Sequence, residues 1–486
     1  MEVRPTREEF ERLAAEYPVV PLATTFVADR ETPVSAFQKL VGDEPGFLLE
    51  SVEGGENWGR WSFVGWDPAF TLTSRDGHSS LDRPGPRLVD ADPLTVLEDL
   101  IDRHTIPDLP GLPPLHTGAV GYMAFDAVRH VERLPHRPPD DRGLPEMVWH
   151  FVGSLAAFDR IDQTVTLVRN VFTGGGGSFD EGVAALEEAA ERLGEGVAYK
   201  PTPVGPEPEP PAWTSTFTPE AFEGAVSEIK DSILAGDAYQ VVLSQRLATT
   251  APGNAFDVYR ALRLINPSPY LFFIRHPDVA VAGSSPELMT RVRDGVAYSR
   301  PIAGTRRRGD TPEEDAQLAK ELLADPKERA EHVMLVDLAR NDLGRVCDFG
   351  TVSVDDLMVI ERYSHVMHIV SGVSGRVREG VGPVDVLRAT FPHGTVSGAP
   401  KVAAIEIIDR LEPVARGPYA GASGYIDFSG NMDTAICLRT VVQAGDTAWI
   451  QAGAGIVADS DPAAEYRETM DKAAAALAAI ARAENL

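Results

Sequence analysis

The sequence predicts an α+β fold, two-lobed, with mainly antiparallel β-sheets packed against helices. Three observations carry that expectation. Strand-like runs adjoin one another across turns, as antiparallel neighbours do. Segments of helical period with explicit start signals are interspersed among them. The chain has 486 residues, 43% hydrophobic and 24% charged, enough to bury a sizeable core.

In chain order, the N-terminus MEVRPTREEFERLAAEYP is charged and lacks an apolar run, so no signal peptide is expected. Phe47–Val52, Gly118–Phe125 and Met147–Phe158 are β-rich, and Gln163–Phe172 reads as the second arm of a hairpin. Asp92-Pro93 opens a short helix through Ile101, with Asp as cap and Pro at the first helical position. Thr173–Ser178 (TGGGGS) reads as a flexible loop tip. Tyr199–Trp213 (YKPTPVGPEPEPPAW) is too proline-rich for helix and favours an extended connector. It divides the chain into an N-terminal part over 1–195, a linker over 196–212 and a C-terminal part over 213–486.

Beyond the connector, Thr218-Pro219 starts a helix whose Phe222, Val226, Ile229 and Ile233 follow helical spacing and which Gly236 stops. The strand YQVVLSQRL follows. Tyr270–Arg275 and Val279–Ser284 form a strand pair across His276-Pro277. Strands near Gly421–Phe428, Thr434–Val442 and Trp449–Val457 lead to a final helix opening at Ser460-Asp461-Pro462. No internal repeat and no coiled coil is expected.

Composition excludes several functions. A net charge of −28 repels phosphate backbones and anionic lipid, so neither nucleic acid nor membrane is an expected partner. No apolar run reaches the ~18 residues of a membrane helix, and a cytoplasmic protein is expected. Two cysteines, Cys347 and Cys437, exclude a disulfide framework and a cysteine-ligated zinc site. Neither lies in a Gly-x-Cys-x-Gly turn, so this chain is not expected to hydrolyse glutamine.

Four constellations could carry chemistry. PKERAEHVMLVDLARND puts Glu328 and Glu331 on one helical face, and the last helix puts Glu465 and Glu468 at the same spacing, with Tyr466, Met470, Leu477 and Ile480 as its buried stripe. Two such pairs could hold one hard cation such as Mg²⁺, or be solvated faces. QAGAGI, residues 451–456, reads as a junction between a strand and the last helix, either an anion cradle or a tight turn. SRPIAGTRRR (299–308) and TVSGAPK (395–401) gather small and basic residues, and Arg439 is expected inside a strand, where it either binds an anion or forms a structural ion pair. Glu287 (GSSPELM) and His368 (SHVMHIVS) are candidate proton-transfer groups, with a satisfied core histidine as the alternative for His368.

Taken together, YQVVLSQR, SSPE, PIAGTRRRG, AEHVMLVDLARNDLGR, RYSHVMHIVS, HGTVSGAPK, GPYAGASGY, MDTAICLRT and QAGAGIVADSDPAAEYRET resemble, in order, the chorismate-utilising enzymes. LLESVEGGENWGRWSFVG, residues 48–65, resembles the inhibitor-binding segment of anthranilate synthase component I. The resemblance implies the two-lobed fold of that family and an Mg²⁺-dependent lyase. It implies Glu331 and Glu468 as metal ligands, with Glu328 and Glu465 nearby. It implies that Gly304, Thr305, Thr395, Lys401, Tyr419, Arg439, Gly453, Ala454 and Gly455 hold chorismate.

Two positions speak to the nucleophile. Water-using relatives carry a lysine base where this chain has Gln240, and aminodeoxychorismate synthases carry a lysine nucleophile where it has Ala303. Both point to direct attack by ammonia, with Gln240 orienting it and Glu287 assisting departure of the ring hydroxyl. Loss of a proton and of pyruvate then gives anthranilate, the step to which His368 is assigned. A separate glutamine amidotransferase subunit is the expected ammonia source, hence a hetero-oligomer in tryptophan biosynthesis. Tryptophan is the expected feedback inhibitor, bound by Glu50, Ser51, Arg60, Pro269, Tyr270 and Leu271. Leu271 stands where Met is frequent and Ser423 where a small apolar residue is frequent. The competing readings are an aminodeoxychorismate synthase component and a non-catalytic tryptophan-binding regulatory subunit.

Overall fold

In the computed structural model, all residues are described except 52–58, 83–90, 198–201, 203, 204, 206, 207, 364 and 365. Val52 of the first expected strand and much of the proline-rich connector therefore lie outside the described residues. Two large sheets dominate, and every strand pairing within them is antiparallel. One sheet orders its strands as Val19–Val27, Thr164–Phe172, Ser154–Asp159, Trp61–Trp66, Gly46–Glu50, Tyr270–His276, Val279–Ser285, Thr440–Ala444, Thr447–Ile456, Gln240–Thr250 and Trp213–Ser215. The other runs from Ile302–Arg307 through Val366–Arg376, Val296–Ser299, Leu288–Arg293, Met432–Ile436, Ala422–Ile426 and Ala119–Met123 to Met147–Phe151, Phe70–Arg75 and His78–Leu81. Each sheet takes strands from both sides of the connector, so the break in the sequence is not a break between sheets.

Side-chain alternation explains the layering. In Gly46–Glu50, Phe47 joins a core of Phe63, Tyr122, Val148, Phe272 and Ile274 drawn from both sheets, whereas Leu48 packs toward helices on the outer face. Helices Pro33–Leu40, Ala255–Ile265 and Pro462–Ala483 cover one sheet, while Pro93–Asp102, Pro326–Gly344 and Pro383–Thr390 cover the other.

Helix starts follow the expected chemistry. Asp92 caps Pro93–Asp102 by accepting from the Thr95 N–H, and Thr218 caps Pro219–Ala235 by accepting from the Ala221 N–H. Asp461 does the same for the last helix.

Two long apolar runs are broken where one strand was expected. Met147–Phe158 divides into Met147–Phe151 and Ser154–Asp159, one in each sheet, because the chain changes sheets at Val152-Gly153. Thr434–Val442 divides likewise into Met432–Ile436 and Thr440–Ala444. Arg439 is consequently not inside a strand. It sits in the break with φ 47°, a left-handed backbone that turns the chain from one sheet to the other.

Candidate functional site

The site forms where the long helix Pro326–Gly344 packs on strands Ile302–Arg307 and Val366–Arg376, facing the ends of Gln240–Thr250, Thr447–Ile456 and Pro462–Ala483. QAGAGI is neither a junction nor a tight turn. It lies within the strand Thr447–Ile456, with Gly453 opposite Ser244 and Gly455 opposite Val242, and the last helix starts only at Pro462. The small residues keep this strand thin: a Cβ on Gly453 would meet the Tyr419 hydroxyl at 2.7 Å, and one on Gly455 would meet Gln240 Nε2 at 2.6 Å.

Gln240 donates from Nε2 to Glu331 Oε1 at 3.4 Å. Burial raises the Glu331 carboxyl pKa, and the neighbouring carboxylates of Glu328 and Glu468 add to the rise. Glu465 is raised too, by burial and then by Glu468. Glu328 pairs with Arg306 at 3.1 Å, and Glu468 pairs with Lys472 at 2.7 Å. Among the described residues no three His, Cys, Asp or Glu side chains form a ready-made metal cluster. The donor set nonetheless fits a hard divalent cation: carboxylate oxygens from two helices repel one another across a partly buried gap that a positive charge would offset.

On the other wall, Gly304 at φ 64° sits in a bulge, where the pairing of Ile302–Arg307 with Val366–Arg376 shifts register. A Cβ there would come 3.0 Å from Glu328 Oε2. The bulge brings Thr305 Oγ1 to 3.2 Å and the Gly304 carbonyl to 2.9 Å from His368 Nδ1. Burial lowers the His368 pKa, and Arg439 lies close enough to lower it further. Arg439 also donates to Asn266 Oδ1 at 3.0 Å.

Glu287 is 7% exposed, and burial pushes its carboxyl up to about 8, with Lys472 pulling the other way. The neighbouring Thr395 side chain also pulls this carboxyl down, more strongly than Lys472 does. Tyr419 is buried beside the Arg416 guanidinium, 5.6 Å from its ring centre. Arg416 in turn pairs with buried Glu412 at 2.7 Å and donates to the Val242 and Val396 carbonyls, tying the strand Gln240–Thr250 to the segment that carries Thr395. Lys401 is held 2.8 Å from Asp342, with its side chain 9% exposed.

Two residues absent from the sequence expectations belong to the site. Lys472 bridges Glu468 and the Gly453 carbonyl (3.0 Å); its place one turn after Glu468 was the available signal. His393 stands 3.7 Å from Glu287 Oε1, inside the HGTVSGAPK segment.

A separate cavity of about 270 Å³ opens between the two sheets. Glu50, Ser51, Arg60, Pro269, Tyr270 and Leu271 all line it, joined from the opposite sheet by Ser423, Met432 and Asp433. Glu50 is fixed by Arg263 at 3.0 Å and by the Tyr259 hydroxyl at 2.6 Å, and Arg60 is paired with Asp159. The Ser51 hydroxyl is buried and has no hydrogen-bond partner among the described residues.

A buried carboxyl with a raised pKa, carboxylates on two helices and a strand of small residues thus come together in one place. Comparison with known proteins gives the class: the family of chorismate binding enzymes matches residues 44–478, and the chain belongs to that family. The particular relatives agree. Anthranilate synthase component 1 of Mycobacterium tuberculosis is 46% identical over 99% of this chain and 96% of its own length. That of Pseudomonas aeruginosa is 47% identical over 98% and 99%. The crystal structure of anthranilate synthase component I from Streptococcus pneumoniae superposes with a TM-score of 0.80 at 35% identity, covering 93% of this chain and 99% of the other. The menaquinone-specific isochorismate synthase of Escherichia coli shares the fold, with a TM-score of 0.71 at 22% identity over 97% of this chain and 98% of its own. No helix among the described residues is long and apolar enough to cross a membrane.

Proposed function

We propose that this chain is the large subunit of an anthranilate synthase, a lyase converting chorismate and ammonia to anthranilate and pyruvate. The observation that carries the reading is the state of Glu287: buried, up to about 8, and so proton-bearing at neutral pH. Such a carboxyl can protonate the departing ring hydroxyl. Gln240, beside Glu331, is a neutral amide that can orient ammonia and cannot deprotonate water. Ala303 offers no amine for a covalent adduct.

Glu331 and Glu468 would hold Mg²⁺, with Glu328 and Glu465 close by. The ion would supply positive charge to bind and polarise the substrate carboxylate. Thr305, Arg439, Tyr419 and the backbone of Gly453–Gly455 position the ring. His368, its pKa lowered by burial, accepts the ring proton as pyruvate leaves. Ammonia comes from a glutamine amidotransferase subunit, the component II that the relatives' name implies. Tryptophan binds in the inter-sheet cavity and inhibits. Cytoplasmic tryptophan biosynthesis is the setting.

The test is one assay: purified chain, chorismate, Mg²⁺ and an ammonium salt, followed by anthranilate fluorescence and pyruvate release, with and without tryptophan. Accumulation of aminodeoxychorismate without pyruvate would overturn the assignment.

A further inference from the structure

The strand Gln240–Thr250 pairs along one side with Thr447–Ile456, from Val241 to Thr250. Its other side is only partly occupied. Gly398–Ala399 takes Gln240 and Val241, and Trp213–Ser215 takes Leu247 to Thr249. Between them, no strand pairs with Val242–Arg246 on that side among the described residues. Buried backbone groups in such a gap need other partners.

Two side chains supply them. Glu412 Oε1 accepts from the Ser244 N–H and from the Ser244 hydroxyl, both at 2.8 Å. Arg416 Nη2 donates to the Val242 carbonyl at 2.7 Å. The two are joined twice, Nη2 to Oε1 at 2.7 Å and Nε to Oε2 at 2.9 Å, and both are buried. Burial opposes the Arg416 charge, yet the Glu412 carboxylate holds its pKa above the ordinary arginine value.

Further links run from the pair into the site. Arg416 Nη1 donates to the Val396 carbonyl at 2.7 Å, next to Thr395. The Ser244 hydroxyl that Glu412 holds accepts from Gln451 Nε2 at 2.8 Å, on the strand of Gly453–Gly455. The guanidinium lies 5.6 Å from the Tyr419 ring centre, and the Tyr419 hydroxyl stands 2.7 Å from where a Cβ on Gly453 would be.

We infer that Glu412 and Arg416 are positioning residues, a side-chain substitute for a missing strand that sets Gln240, Thr395, Tyr419 and the Gly453–Gly455 backbone in register. The inference rests on the reading of this site as the place where chorismate and ammonia meet. Arginine suits the role because its rigid fork holds two carbonyls and a carboxylate at once, which a lysine ammonium cannot.

The experiment measures Tm, and initial rates against chorismate and against free ammonia, for the wild type, Arg416→Lys and the double variant Glu412→Gln/Arg416→Met. Lysine keeps the charge opposite Glu412 but loses the fork. In the double variant the glutamine carbonyl still accepts from the Ser244 N–H, no charge is left buried, and the hold on Val242 and Val396 is gone. Both variants should melt cooperatively, with KM for chorismate and for ammonia each raised about tenfold or more by misplaced groups. A merely structural pair would lower Tm and the active fraction, hence the apparent kcat, and leave both KM values alone. That result in either folded variant overturns the inference while the wild type still makes anthranilate. A wild type that makes none overturns the reading of the reaction, and the inference with it. Should neither variant fold, Ser244→Ala removes only the hydroxyl link from Glu412 to Gln451 and should raise KM for chorismate about threefold; an unchanged KM there overturns the inference equally.

Discussion

Gln240 and Gly455 share one space: the amide Nε2 of Gln240 lies 2.6 Å from where a Cβ on Gly455 would stand. The amide therefore reaches Glu331 only because the adjacent strand carries no side chain there. Gly455→Ala has a physical cost that falls almost wholly on the site. The clashing atom is the end of a flexible side chain, so the backbone need not move. The expected outcome is a melting temperature close to wild type with kcat/KM down about tenfold or more, since small misplacements of reacting groups are costly. Unchanged kinetics with ammonia would remove Gln240 from the reaction.

Glu287→Gln is expected to change how stability depends on pH. The native carboxyl sits at about 8 against an ordinary value of 4.5, so between those values the folded state binds more protons than the unfolded one. Stability contributed by the protonated group is thus full below 4.5 and is lost as pH rises toward 8, with a slope of at most about 1.4 kcal/mol per pH unit. Glutamine has no such titration. Urea unfolding at pH 5, 7 and 9 should show the variant losing less stability than the wild type on going alkaline; parallel curves would mean Glu287 ionises normally.

Helices opened by Asp92-Pro93, Thr218-Pro219 and Asp461-Pro462 were legible because each start is a local signal, a side chain that satisfies first-turn N–H groups. What the sequence concealed was changes of sheet. Met147–Phe158 is apolar on both sides of Gly153, and only the three-dimensional partner of each half shows that the run crosses between layers. Arg439 was misplaced for the same reason, since a single left-handed residue within an apolar run leaves no trace in composition. The candidate site residues rest on ordered motifs, whereas spacing alone leaves the glutamates indistinguishable from a solvated face. His393 and Lys472 escaped because their roles depend on neighbours brought from distant segments, Glu287 for one and Gly453 for the other.

The inter-sheet cavity makes a binding prediction independent of turnover. Tryptophan at about 100 times its Kd should stabilise the chain by about 2.7 kcal/mol, seen as a rise in Tm. Ser51 lines that cavity with a buried hydroxyl that has no partner among the described residues, so Ser51→Ala should shrink the shift by removing one ligand hydrogen bond. Leu271→Trp should abolish it by filling the space. A shift that survives Leu271→Trp undiminished would place tryptophan elsewhere.

Asn266 offers a route between cavity and site. It follows the helix Ala255–Ile265 and directly precedes the cavity wall at Pro269–Leu271. Its Oδ1 accepts from Arg439 at 3.0 Å, while its Nδ2 donates to Ser284 Oγ at 3.1 Å. Ser284 faces Leu271 across the hairpin, three residues before Glu287. An inhibitor that moved this wall would move Arg439 and the approach to Glu287 together, because packed segments shift as units. Asn266→Ala cuts both hydrogen bonds. The expected outcome is a KM for chorismate raised about tenfold, from loss of one hydrogen bond to a charged group, and a weaker effect of tryptophan on that KM, while the thermal shift by tryptophan persists. By reciprocity chorismate should also alter tryptophan affinity less than in the wild type. If the variant keeps both the wild-type KM and the full tryptophan effect, coupling does not run through Asn266, and the rigid-body relation of the two sheets would have to transmit it instead.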